Sequence, residues 1–249
     1  MGMKNNYLII LLIGLFLIPT GLFPVNAQTN TVIRTKPIFE NFYEITAVTN
    51  QTFDISSTVT CFSGPDSAFK VINSSLYNAK TSFYLEVYTL SSEALVNGLI
   101  AADARGVDVQ VLLSEDRVSS YEDDYTIEAA FRLDQAGIPV SWASSSYAYT
   151  HAKFWIVDSK VAYIYSGNWA PSSIPVNPNA RENREMGVGI HNVDVANYYE
   201  DIFLEDLANG NPYVAGSHIG YLQDEETGTY EHPFTEENVT GTMKVTPFF

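Results

Sequence analysis

The segment from Tyr149 to Trp169, YTHAKFWIVDSKVAYIYSGNW, sets an imidazole (His151), an ammonium (Lys153), a carboxylate (Asp158), a hydroxyl (Ser166) and a carboxamide (Asn168) among aromatic and β-branched residues. Side chains alternate along a strand, so His151 and Lys153 share one face of the first strand, and Ser166 and Asn168 share one face of the second. A two-residue turn at Asp158-Ser159 sets His151 across from Ser166, and one at Ser159-Lys160 sets it across from Asn168. In both registers the four polar groups converge. They make a poor core but a good cradle for a phosphoryl group, with donors for its oxygens and a nitrogen nucleophile. A single strand histidine is commonly a satisfied structural residue, and a single lysine can extend to water. The conjunction of types at fixed spacing is what points to chemistry.

The surrounding elements have to hold that hairpin. TVTCF from Thr58 reads as a strand, SGPDSAF as a turn and AFKVINSSLYNA as a helix. SFYLEVYTL is a buried strand. SSEALVNGLIAADARG is a helix opened by a serine cap, with Glu93 in its first turn and Gly106 at its end, and VDVQVLL is the next strand. YEDDYTIEAAFRLDQAG gives a second helix closed at Gly137, IPVSW a third strand, and VDVANYYEDIFLEDLANG a late amphipathic helix with acids on its outer face. This alternation predicts an α/β fold, an α-β-α sandwich around a mixed, largely parallel sheet.

HAKFWIVD followed by YSGN resembles the H-x-K-x4-D-x6-G-S-x-N signature of the phospholipase D superfamily, with Tyr165 where the family has glycine. CFSGPDSAF, AADARGVDVQVLL and NREMGVGI resemble the same repeat unit, so the likeness covers about Thr58 to Gly210. It implies a phosphodiester displacement that needs no metal or other cofactor. His151 would attack phosphorus, and the histidine of a second motif would protonate the leaving alcohol and then activate water. Lys153, Ser166 and Asn168 would hold the phosphate oxygens. Asp158, or Glu185 in NRE, would orient an imidazole. Glu185 follows a long Pro/Asn-rich loop that also carries Arg181; Arg184 lies beside it, and either arginine could meet phosphate or pair with an acid.

Only one such motif is present. Single-motif members resemble half-enzymes that dimerise, so a homodimer is one expectation. The other is a missing second repeat, because VTPFF at Val245 resembles VTCF at Val59. The expected organisation is a signal peptide or anchor over 1–27, a linker over 28–57, the phospholipase D-like domain over 58–210 and a C-terminal extension over 211–249. Lys4, the apolar run from Tyr7 to Phe23 and the small residues Val25 and Ala27 read as an export signal, placing the remainder outside the cytoplasm. An uncleaved signal would anchor it at a membrane.

The 249 residues carry 13 Lys and Arg against 29 Asp and Glu, a net charge of −16. Such acidity disfavours a nucleic-acid partner, since counterion release from phosphate contacts drives that binding. A phospholipid or other phosphodiester, met at a membrane surface, is the expected substrate; an extracellular single-motif endonuclease and a non-catalytic half-site are the alternatives. Cys61 stands alone and reads as a small buried apolar residue. Sequons at Asn50, Asn73 and Asn238 are compatible with glycosylation. His191, His218 and His232 sit singly in polar surroundings, and Trp142, Trp155 and Trp169 read as core, with a substrate groove as the alternative for one of them.

Overall fold

A computed structural model describes residues 15–18, 51–115, 120–177, 182–215, 222–223 and 234–247. The chain divides into two compact units, one of residues 1–56 with 241–249 and one of residues 57–240. In the first, β1 (Leu15–Ile18) pairs antiparallel with residues 244–247, the end of a strand that runs Glu237–Pro247.

The second unit follows the expected alternation. Its elements are β2 (Phe53–Gly64, entering at Ser57), α1 (Ala68–Asn78), β3 (Ser82–Val87), α2 (Glu93–Asp103), β4 (Asp108–Leu113), α3 (Ser120–Gln135), β5 (Val140–Trp142), β6 (Lys153–Val157), β7 (Val161–Tyr165), β8 (Glu185–His191), α4 (Val193–Asn209) and β9 (Asn211–Pro212). Gly106 and Gly137, both with φ near +90°, turn the chain out of α2 and α3 in the left-handed region that glycine enters without a steric cost. Asn192 caps α4 by accepting from the Val195 N–H at 3.1 Å.

The strands lie in the order β2-β8-β7-β6-β3-β4-β5-β9. The sheet is mixed, as expected. Its parallel part is confined to β3-β4-β5, where helical crossovers join successive strands. β6 arrives by a loop and pairs antiparallel with β3, and β2, β7, β8 and β9 are also antiparallel to their neighbours.

Alternation along β3 shows how the two faces are covered. Phe83, Leu85 and Val87 join the core shared with α1, α2 and α3. Tyr84 faces the other way and stacks on Phe203 of α4 at 5.3 Å, as Phe154 of β6 meets Tyr199. Trp155 anchors the first face: its ring stacks on its ladder partner Tyr163 at 5.0 Å, and its N–H donates to Ser75 Oγ at 3.1 Å. Trp169 is also fully buried, and Trp142 is half-buried against Tyr213, so all three tryptophans pack within the fold. Cys61 is half-buried rather than buried. None of the helices among the described residues is long and apolar enough to cross a membrane. Replacing Trp155 with alanine is expected to lower unfolding free energy by about 3–5 kcal/mol, measured by denaturant titration.

Candidate active site

The hairpin register differs from both two-residue alternatives. Three residues, Asp158 to Lys160, separate the strand ends, with Val157 paired to Val161 and Trp155 to Tyr163. Asp158 and Ser159 both have positive φ, 55° and 52°, and the Lys160 N–H closes the turn on Val157 O at 2.9 Å. Extending this ladder brings His151 level with Gly167, between Ser166 and Asn168, instead of opposite either. The reason lies in the Asp158 side chain. Its carboxylate accepts from the backbone N–H groups of Lys80, Thr81 and Ser82 at 2.7–3.2 Å and from the Thr81 hydroxyl at 3.0 Å. Burial pushes this carboxyl up, but those donors outweigh it and hold it below its ordinary value of 3.8.

Asp158 therefore ties the turn to the start of β3. It lies at the far end of β6 from His151, seven residues and roughly 20 Å along an extended strand. The expectation that Asp158 orients an imidazole is corrected within this chain: its carboxylate is held by Lys80, Thr81 and Ser82, a strand length away from His151.

The site gathers at the opposite edge, where β3 ends and β6 begins. Leaving β7, the chain crosses the start of β6 and fastens to the end of β3: the Trp169 N–H donates to Thr89 O at 3.0 Å, and Ser91 and Ser92 donate to Trp169 O. That crossing carries Gly167 and Asn168 past His151. Gly167 admits no side chain, since a Cβ there would stand 2.7 Å from both Ser173 Cβ and Tyr165 Cε1. Tyr165, the departure from the family pattern, turns into the core. It stacks on Phe62 at 5.5 Å and donates its hydroxyl to Ser173 O at 2.7 Å.

His151 is exposed and Lys153 is buried, 6% accessible. The Lys153 ammonium donates to His151 O at 2.8 Å, stands 3.2 Å from His151 Nδ1 and lies 5.5 Å over the Tyr88 ring. The imidazole packs against Tyr88 at 4.8 Å, with Tyr149 at 6.1 Å. Burial first, and the Lys153 charge second, hold its pKa below 6.5, so the ring is neutral at pH 7 and has a nucleophilic nitrogen.

Ser166 donates to Glu185 Oε2 and accepts from the Met186 N–H at 2.9 Å, while Ser173 reaches Glu185 Oε1 at 3.5 Å. Glu185 enters β8 opposite Gly64. Its carboxylate is thus joined to the serine hydroxyls, not to His151. Asn168 Oδ1 is buried with no hydrogen-bond partner. An orphaned buried polar atom costs about 1–3 kcal/mol, and turning the carboxamide over would present an N–H donor there. Arg184 is ion-paired with the buried Asp66 carboxylate and lies 5.4 Å over Phe234. His191 shares a hydrogen bond of 2.9 Å with Thr60. Arg181, His218 and His232 lie outside the described residues. Among the described residues, no three His, Cys, Asp or Glu side chains gather as a metal site would require.

Residues 72–207 match the family described as "Cardiolipin synthase, PLD-like domain", more than half of the chain. The chain belongs to the phospholipase D superfamily. Among its members, this one is 26% identical over 211 residues to a phospholipase D of Rickettsia conorii, covering 84% of this chain and all of that one. It is 32% identical over 118 residues to the mitochondrial cardiolipin hydrolase of Xenopus tropicalis, covering 47% of this chain and 52% of that one. The crystal structure of Nuc, a phospholipase D family member from Salmonella typhimurium, superposes with a TM-score of 0.56 at 25% identity, over 63% of this chain and 98% of that one. The phospholipase D-like fold thus accounts for the mixed sheet flanked by helices.

Reading the sequence missed Tyr88, Ser173 and the choice of Asp66 as the acid paired with Arg184, 118 positions away. Two measurements test the assignments. The His151 imidazole should titrate below pH 6.5 by NMR and move upward in Lys153→Met, because removing the positive charge removes one of the two effects that oppose protonation. Asp158→Asn should cost about 1–2 kcal/mol at pH 7, allowing for the solvent that reaches the turn, with the difference vanishing as pH falls below 3.8 and the wild-type carboxylate is protonated.

Proposed function

We propose that this chain is an exported phosphodiesterase that hydrolyses phospholipid phosphodiester bonds without a metal, through a phosphohistidine on His151. The observation that carries this reading is the buried Lys153 ammonium held against the imidazole: a fixed positive charge and a neutral nitrogen nucleophile share one strand end. When a phosphoryl group draws the ammonium to its non-bridging oxygens, His151 Nδ1 is released from that cation and can take a new hydrogen-bond partner. Asn168 and Ser166 supply further polar groups at the crossing segment.

In the first step the His151 nitrogen forms a bond to phosphorus while the bond to the alcohol oxygen breaks, and a second histidine gives the departing oxygen its proton. In the second step that histidine takes a proton from water, water attacks phosphorus and the P–N bond breaks. The second histidine comes from a second motif, provided by a homodimer or by another repeat. The names of the Rickettsia and Xenopus relatives support a lipid substrate. So does the net charge of −16, which opposes a polyanionic nucleic acid. The export reading rests on Lys4 and the apolar run that follows it.

Hydrolysis of bis(p-nitrophenyl) phosphate in EDTA should persist, track a dimer by native mass, and fall at least about a thousandfold in His151→Ala. Phosphatidylcholine and cardiolipin vesicles should be cleaved in preference to DNA. Faster cleavage of DNA would replace the lipase reading with the endonuclease reading, and absence of turnover in a dimer would favour a non-catalytic half-site.

A further inference from the structure

Glu86 is the next-to-last residue of β3, between Leu85 and Val87, with 1% of its surface exposed. It pairs across the ladder with Phe154, the residue after Lys153, and shares the sheet face covered by α4. Thr150 donates its hydroxyl to Glu86 Oε1 at 2.5 Å. The same Thr150 oxygen accepts from the Ala152 N–H at 3.3 Å. One hydroxyl thereby joins the residues on both sides of His151 and fastens them to a buried side chain. The other tether on this stretch is the Lys153 ammonium on His151 O.

We propose that Glu86 is a positioning residue for His151, acting through the Thr150 hydroxyl on the backbone that carries the imidazole. This rests on the reading of His151 as the nucleophile. The imidazole is exposed, with Tyr88, Tyr149 and Lys153 beside it, so its direction depends on the backbone that carries it as well as on those neighbours.

The groups that face Glu86 fix its charge. Asp206 of α4, itself beside Glu205, bears on it, and the Tyr147 phenol feels both carboxyls. Burial first and Asp206 second push the Glu86 carboxyl up to about 8. It is therefore protonated at neutral pH.

The test uses the full chain and the variants Thr150→Val, Glu86→Leu, their double, and the conservative Thr150→Ser and Glu86→Gln, each checked for a cooperative melt. On bis(p-nitrophenyl) phosphate, Thr150→Val and Glu86→Leu should each lower kcat about tenfold or more with KM within about twofold. The double should be no worse than the poorer single, because both remove one link. Thr150→Ser and Glu86→Gln should recover kcat to within about threefold of wild type. Hydrogen exchange at the Ala152 amide should quicken about tenfold in Thr150→Val and Glu86→Leu alike. Wild-type kcat and Ala152 exchange in Thr150→Val, or additive effects in the double, would overturn the proposal. If every form lacks turnover while Ala152 exchange responds to both residues, the tether stands and the catalytic reading of His151 falls.

Discussion

The hydrogen bonds on the Asp158 carboxylate set the frame for the site at the other end of the strand. Three consecutive backbone N–H groups and a hydroxyl converge on this side chain, fixing the β6–β7 turn against the start of β3. Because side chains alternate strictly, a slip of one residue would exchange the faces of His151 and Lys153 with those of their neighbours. The fixed interval from histidine to aspartate is thus the length of a ruler. Its aspartate end sets the register, and its other end carries His151 and Lys153 side by side.

Electrostatics at that end are local. The protein is strongly acidic, yet the ammonium of Lys153 is buried between a carbonyl oxygen, an imidazole and an aromatic face. A buried charge is costly unless such partners compensate it. Here they leave it beside the surface on which an anionic substrate group would rest. Glu185 is balanced differently: the hydroxyls of Ser166 and Ser173 take up its oxygens, so a carboxylate stands close to the site without facing the imidazole in this chain.

Much of this was legible in the sequence because it is written in local patterns. The alternation of apolar strands and capped helices gave the layers, and the spacing of His151, Lys153 and Asn168 marked the strand end. The parallel share of the sheet was overestimated because β6 enters by a loop instead of a helical crossover, a choice that periodicity does not record. The hairpin register was missed by one residue because the turn is decided by contacts with Lys80 and Thr81, nearly eighty positions away. Asp158 was assigned to the imidazole for the same reason. Glu86 did leave a signal, a lone acid inside SFYLEVYTL, whose meaning depends on Thr150 and α4.

The floor beneath the crossing segment is an aromatic stack. Tyr165 lies on Phe62 and fills the space under Gly167, so the placement of Asn168 is inherited from the hydrophobic core and not from a loop. Variation among descendants of this chain therefore has two unequal routes. Changes to the floor must repack the interior and threaten folding itself, whereas Tyr147 and Tyr149, 36% and 42% exposed near His151, can change on their solvent side at less cost. New substrate preferences in this lineage would arise from that rim while the floor stays as it is.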